Sequence, residues 1–561
     1  MQGRYRNFIL AVIGIAALTG ALYFPFLSNG LIFDDYGLYR GGGIYDYAQM
    51  PFSFRSRTFP YFTLGFISVL NSAIEMNRIV SLLLHVFCSW MLFALIVALL
   101  NDAGGNSSFG DRGTKEKSKH ALILAFFSAS WFAIHPVAVY GAGYLAQRTI
   151  LFATLFSLLS LWFYRRSFAE NRTVDVVSAA LFYSLAVFSK EHAIMLPLAT
   201  LPLAALYEAS WRANFKRIAL YLLLCMPAAL TVWLATKHIV ASSYEPDVAA
   251  MLPQMQNIAV LAQSRGEWLV SIVLQAGFFF DYLAFWLVPD VRFLSADMRF
   301  DFVHIWSSWW VFPKAFLFFL SPLVAIYFLR KKGLIALFCC GFLYSWFLFL
   351  TELAAVRFQE PFVLYRSYLW APGYAMMLVA VCARAPRRWL LMAAIPLFVV
   401  FFLLARDRLT SLSTEANVWK DAAAKLESPT LVGSDRIFYN RGLAYMREKQ
   451  YDDAIADFSR TVQLNPKVAQ AYYNRALAYY ALEQYAEAMV DLELGLLLNA
   501  KDASAQYVRG LILERRGCAA RAKQAFTASM AMGNHVAKLK LEEMEKKNTV
   551  SGQGGASVCP D

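Results

Sequence analysis

Charge is scarce in this chain of 561 residues. Asp, Glu, Lys and Arg make up 16%, where soluble domains carry roughly a quarter, and apolar residues make up 59%. That balance excludes a wholly soluble globular protein and predicts a polytopic membrane protein with a smaller soluble part. Cysteine is sparse as well. Cys88, Cys225, Cys339, Cys340 and Cys382 lie inside apolar runs, where they read as small buried hydrophobes. Cys518 and Cys559 are too few and too far apart to define a disulfide framework, and no C-x-x-C occurs, so a cysteine-built metal site is excluded. The formal charge of +13 is not the footprint of a nucleic-acid partner. Its basic residues stand in short groups between apolar runs, such as Arg4 with Arg6, Lys115 with Lys117 and Lys119, Arg212 with Lys216 and Arg217, and Arg330-Lys331-Lys332. Loops held on the cytoplasmic side carry that pattern.

Apolar runs of spanning length fall at 8–28, 79–100, 121–137, 149–164, 174–189, 191–208, 218–236, 308–329, 334–350, 369–383 and 389–405. With the N-terminus inside, about eleven spans put every basic group in the cytoplasm. The run 268–288 is apolar enough to cross but would reverse the side of Arg330-Lys331-Lys332, so the charge pattern predicts an interfacial or re-entrant helix there. The first run lacks a convincing cleavage site and is predicted to be a retained span.

Directly after the first span comes Leu31-Ile32-Phe33-Asp34-Asp35-Tyr36. Two adjacent carboxylates at the mouth of a span are expensive to keep near lipid. One can take a proton from an incoming hydroxyl while the other holds a cation, a turn or a basic partner. The same dipeptide can equally cap a turn outside the bilayer. Other loops on this outer side add His135-Pro136 with Gln147-Arg148, Ser189-Lys190-Glu191-His192, Asp297-Met298-Arg299, and Glu360 followed by Tyr365-Arg366. Each has a plainer reading. Arg148 and Lys190 suit snorkelling span ends, Arg366 suits an ion pair with Glu360, Glu191 suits neutralisation of Lys190, and His135 suits a packed ring. Acids and bases converging on one side fit an enzyme that acts on a lipid-borne anion, because Arg and Lys hold phosphate at an interface.

Beyond residue 405 the character changes, and from Asp435 the chain repeats every 34 residues or so. Phe438, Gly442, Tyr445, Ala454, Phe458 and Pro466 form one copy, and Tyr472, Ala476, Tyr479, Ala488 and Leu492 a second. Gly510, Leu513, Ala522 and Phe526 form a weaker third. These are tetratricopeptide positions, and such arrays bind peptides or proteins on a concave face. The repeated Tyr439-Asn440 and Tyr473-Asn474 are the candidate acceptor-binding residues. The fold class is therefore all-α, a membrane helical bundle followed by an α-solenoid. The divisions are 1–405 for the membrane domain, 406–434 for a connecting helix, 435–547 for the repeats and 548–561 for a Gly/Ser-rich disordered tail. An odd number of spans puts the repeats on the side of Asp34-Asp35.

Phe33-Asp34-Asp35, His135-Pro136 with Gln147-Arg148, Ser189-Lys190-Glu191 with Leu196-Pro197, and the C-terminal repeats together resemble the GT-C membrane glycosyltransferases. The likeness is to the transmembrane and tetratricopeptide repeat O-mannosyltransferases. Ser295 to Arg299 and Glu360 to Tyr368 resemble segments of bacterial type IV pilin O-glycosyltransferases, while Val363-Leu364-Tyr365-Arg366-Ser367 departs from the mannosyltransferase motif and leaves the sugar open. The resemblance implies inverting transfer of one sugar from a polyprenyl-phosphate carrier to Ser or Thr of an extracytoplasmic protein such as a pilin. Asp34 or Asp35 would be the base, with Asp35 alternatively holding Mg or Mn. Arg148, Lys190, Arg299 and Arg366 would bind the donor phosphate, supported by His135, Glu191, His192, Glu360 and Tyr365. It implies a bacterial inner membrane with periplasmic catalytic loops and repeats, or an ER membrane with lumenal repeats in a eukaryote. Two other readings keep the architecture: transfer to lipid A or another glycolipid, and a non-enzymatic tetratricopeptide scaffold for envelope or pilus assembly.

Overall fold

A computed structural model describes residues 2–40, 42–50, 55–103, 114–207, 211–242, 266–358 and 360–551. Among these the regular structure is entirely helical, and the C-terminal repeats form a helical solenoid. The chain divides into two compact units, Met1–Val418 and Trp419–Asp561.

Among the described residues of the first unit, eight helices are long and apolar enough to cross a membrane. Ile74–Ala103 and Arg148–Ala169 bury most of their length and form the centre of the packing. Trp211–Thr236, Val311–Phe328 and Arg387–Ser411 leave long apolar side chains exposed, among them Leu223, Phe316, Leu323 and Ile395. Exposed stripes of this kind are what a hydrocarbon solvent covers. The predicted span 191–208 is not one regular helix. Pro197 and Pro202 each remove a backbone donor, and the stretch breaks into Glu191–Met195, Leu196–Thr200 and Leu201–Leu206.

The apolar helix Gly266–Leu287 runs unbroken for 22 residues, and by length and composition alone it qualifies as a span. It is tied to its neighbours along its length. Trp268 Nε1 donates to Leu353 O at 2.8 Å, Gln275 Nε2 to Pro361 O at 2.7 Å, and Trp286 Nε1 to Ser367 Oγ at 2.9 Å. The same Trp286 ring stacks on His135, 4.4 Å away, just past the end of the helix Thr114–Ile134. In the charge-derived topology Leu353 and His135 both lie at outward helix ends. The middle of Gly266–Leu287 packs on two of the spanning-length helices, with the Phe279 ring 5.3 Å from Phe318 and 5.8 Å from Phe342.

In the second unit, Ser434–Arg447 pairs with Tyr451–Leu464, Ala469–Ala481 with Tyr485–Leu498, and Ala503–Arg515 with Ala519–Ala531, before a last helix, His535–Ser551. Residues 548–551, predicted to begin the disordered tail, belong to this last helix; 552–561 lie outside the described residues. A Cβ at Gly442 would sit 2.8 Å from the Phe458 ring, and one at Gly510 2.4 Å from Phe526, so both pairs of helices close only over glycine. Arg441 Nε donates to Asp457 Oδ2 at 2.7 Å and Arg475 Nε to Asp491 Oδ2 at 2.6 Å. In the third hairpin Ala525 stands where the acid would be, and Arg509 Nε has no hydrogen-bond partner among the described residues. The third hairpin thus lacks the clamp of the first two.

The predicted connecting helix 406–434 is not a single element. Arg387–Ser411 continues past residue 405, the short helix Glu415–Ala424 follows, and Ser434 already opens the first repeat.

Candidate functional site

After the first helix, Phe33 adopts a left-handed backbone with φ 48° and starts the short helix Asp34–Arg40. A branched or aromatic side chain resists that conformation, so the surroundings must hold it. Arg78 does much of the holding. Its guanidinium donates to Asn29 O at 3.1 Å, Gly30 O at 2.6 Å and Gly143 O at 2.8 Å.

The two aspartates then part company, as adjacent helical residues must, about 100° apart. Asp35 is fully buried; its Oδ1 accepts from Ala146 N at 2.8 Å and its Oδ2 from Ile32 N at 3.4 Å. Burial pushes its carboxyl up to about 7, against the pull of Arg78 and of the two backbone N–H groups. Asp34 is exposed, and its backbone N–H donates to the Tyr144 hydroxyl at 2.9 Å. Among the described residues its carboxylate has no ion-pair partner. Asp35 therefore anchors the turn, and Asp34 is the carboxylate open to solvent. The pair does not fit a chelate, because Asp35 commits its oxygens inward. No group of three His, Cys, Asp or Glu able to hold a metal occurs among the described residues.

Lys190 ends the helix Val174–Ser189 in extended conformation, and it is 4% exposed. Burial lowers its ammonium to about 7; Arg57 and Arg366 add to the effect, while Glu191 and Asp34 oppose it. No carboxylate among the described residues lies within ion-pair distance of its Nζ, which stands 5.7 Å from the centre of the Tyr365 ring. Arg366 lies 5.9 Å from the same ring, and Tyr144 meets that ring edge-on at 6.3 Å.

Two carboxylates brace this recess. Glu191 Oε2 accepts from Arg57 Nε and from Ser56 Oγ, each at 3.0 Å. Burial alone would lower the Arg57 guanidinium, but the Glu191 charge outweighs it and holds the group above its ordinary value. Glu352, 1% exposed, accepts from Arg366 Nη1 at 2.7 Å, and Glu360 approaches the other side of that guanidinium at 3.5 Å. His192 lies between the braces, 3.4 Å from Glu191 and 3.4 Å from Glu352, without hydrogen-bond alignment to either.

Asp34, Lys190, Glu191, His192, Glu360, Tyr365 and Arg366 are thus gathered from three distant stretches, with Asp35 beneath. Three candidates are placed otherwise. Arg148 is fully buried, donating to Ser81 Oγ at 3.2 Å and Thr63 Oγ1 at 3.3 Å. Arg299 pairs with Asp297 at 2.7 Å. His135 packs between Trp286, Trp131 and Phe401. Arg57, Tyr144 and Glu352 were not legible as site residues. Glu352 follows an apolar run directly, and a lone carboxylate there was the available signal.

On the repeats, Asn440 Nδ2 donates to Arg436 O at 2.9 Å, and Asn474 Nδ2 to Gln470 O at 2.8 Å and to the Tyr439 hydroxyl at 3.0 Å. These three side chains are half-exposed. Tyr473 is buried, its hydroxyl donating to Gly495 O and Asn499 O at 2.8 and 2.9 Å, so it packs the hairpin.

Tetratricopeptide repeat families match residues 436–468 and 469–502. No curated protein matches the chain. Among solved structures, the first tetratricopeptide domain of Spaghetti (RPAP3) bound to the HSP90 peptide SRMEEVD is similar at 23% identity. That match covers 20% of this chain and 93% of the other, with a TM-score of 0.20. The APC/C hetero-tetramer Cut9-Hcn1 is similar at 14% identity, over 89% of this chain and 95% of the other, with a TM-score of 0.23. The chain is an all-helical protein that contains tetratricopeptide repeats, joined to a bundle of helices long and apolar enough for a membrane.

Proposed function

We propose that the chain is a membrane glycosyltransferase that moves one sugar from a polyprenyl-phosphate carrier to a hydroxyl of a polypeptide docked on its repeats. One observation carries the reading: an exposed carboxylate, Asp34, lies within electrostatic reach of a buried ammonium, Lys190, that has no carboxylate at ion-pair distance among the described residues. A buried cation left without a partner costs several kcal/mol unless a ligand supplies the anion. In the proposed step the acceptor oxygen attacks the anomeric carbon as the bond from that carbon to the phosphate oxygen breaks. Asp34 takes the hydroxyl proton, and the leaving lipid phosphate keeps the electron pair, its charge balanced by Lys190 and Arg366. Attack from the face opposite the phosphate inverts the anomeric centre. Tyr365, half-exposed in an otherwise buried run, offers a ring face at the same place. Any divalent ion there would take Asp34 alone from this chain and fill its shell from phosphate and water.

The repeats favour a second reading, a non-enzymatic scaffold for envelope proteins, because arrays of this kind bind proteins with no chemistry attached. Asp34→Asn separates the two. Intact mass spectrometry of exported proteins should lose a sugar-sized increment, with about a hundredfold or greater fall in transfer. Unchanged masses in cells that make the variant at normal levels refute the enzyme and leave the scaffold. Transfer to a glycolipid instead predicts that deleting 430–547 leaves activity intact.

A further inference from the structure

The helix Tyr485–Leu498 carries an apolar stripe on its outward face that its sister helices lack. Val490 is 60% exposed, Leu494 42%, Leu497 83% and Leu498 46%. The equivalent residues of the first repeat are Ala456, Arg460, Gln463 and Leu464, and of the third Gln524, Ala528, Ala531 and Met532. Packing inside the array does not need the stripe, because it lies on the side away from Ala488, Leu492 and the rest of the core.

The charges around it choose the occupant. The helix contains no Lys or Arg, and Glu487 and Glu493 are exposed along it, which opposes an anionic membrane surface. Glu487 lies on the stripe seven residues before Leu494, and Lys501 lies in the turn three residues past the helix's last residue, Leu498. Val490 and Leu498 lie four residues either side of Leu494. Placed antiparallel on a second copy of itself about Leu494, the helix sets Leu494 on Leu494 once, at the axis, and Val490 on Leu498 twice, and it brings each Glu487 towards the partner's turn that carries Lys501. A two-fold interface needs this self-complementarity. Among the described residues neither Glu487 nor Lys501 has an ion-pair partner within the chain.

We propose that this face of the second repeat binds the same face of another copy, making the protein a two-fold dimer through its repeats. A single pair of helices is a small contact, below the size of stable soluble interfaces. Confinement of both copies to one membrane supplies the effective concentration.

The test uses the full chain in native membranes. Leu494→Cys, on the axis, should give a cross-linked dimer under mild oxidant, well above the level of the unsubstituted chain and of the control Gln524→Cys. Adding Glu487→Lys should lower that yield about fivefold or more, since two ion pairs become two repulsions. Adding Lys501→Glu as well should restore it. The proposal is overturned if Leu494→Cys stays at the control level, if the double charge swap stays as low as the single one, or if the cross-link goes to a protein of different mass.

Discussion

Lys190 gives the sharpest test of the recess as an anion site. Its ammonium falls from an ordinary 10.5 to about 7, so the fold withholds on the order of 5 kcal/mol from the charged form. Near pH 7 about half the molecules then hold the proton, and at pH 8.5 only about 3% do. If donor phosphate binds the ammonium, affinity for a short-chain polyprenyl-phosphate sugar should fall on the order of thirtyfold between pH 6 and pH 8.5. Lys190→Arg stays charged at both pH values and should remove that slope while keeping binding. Lys190→Met should bind weakly at both. Stability should move the other way. Because the unfolded chain holds the proton more tightly, Lys190 favours folding more as pH rises from about 7 to 10.5, and is a constant burden below about 7. Lys190→Met at pH 6 should therefore hold or raise Tm, unlike truncation of a core residue. A pH slope that survives in Lys190→Arg, with donor affinity untouched in Lys190→Met, would show that the recess is not built around a phosphate.

Asp35→Ala leaves the buried N–H groups of Ala146 and Ile32 without their acceptor and frees the turn, and should cost about 3 kcal/mol, read as a lower Tm in detergent. Asp34→Asn, at an exposed position, should leave Tm unchanged, so the two neighbours separate anchor from reactant. Glu352→Gln removes the charge that fixes Arg366; donor KM should rise while protein levels hold, and an unchanged KM would mean Glu360 alone positions the guanidinium. Reporter fusions at residues 45 and 500 should report the same compartment, and opposite signals would refute the odd span count.

Much of this was legible in the sequence because charge in an apolar chain stands out. Asp34, Lys190 and Arg366 were visible for that reason, and the 34-residue period exposed the solenoid. What one sequence hides is which charge meets which. Asp34 and Asp35 are chemically identical on paper, and only the inward N–H of Ala146 decides that the second is the anchor. The pairing of Glu191 with Arg57 spans 134 positions, and no local pattern encodes it. His135 beside Pro136 has the look of a motif, yet the ring of Trp286, brought from a distant helix, makes it packing. Pro197 and Pro202 were in plain view, but apolar length alone counted 191–208 as one span.

Ala525, standing where the first two hairpins place an aspartate, has a mechanical consequence. The Arg–Asp clamp fastens the first two hairpins and is missing from the third. Pulled from the C-terminal side, the array should shed the helix His535–Ser551 and then its third hairpin, and keep the two clamped hairpins, with their asparagines, intact under load.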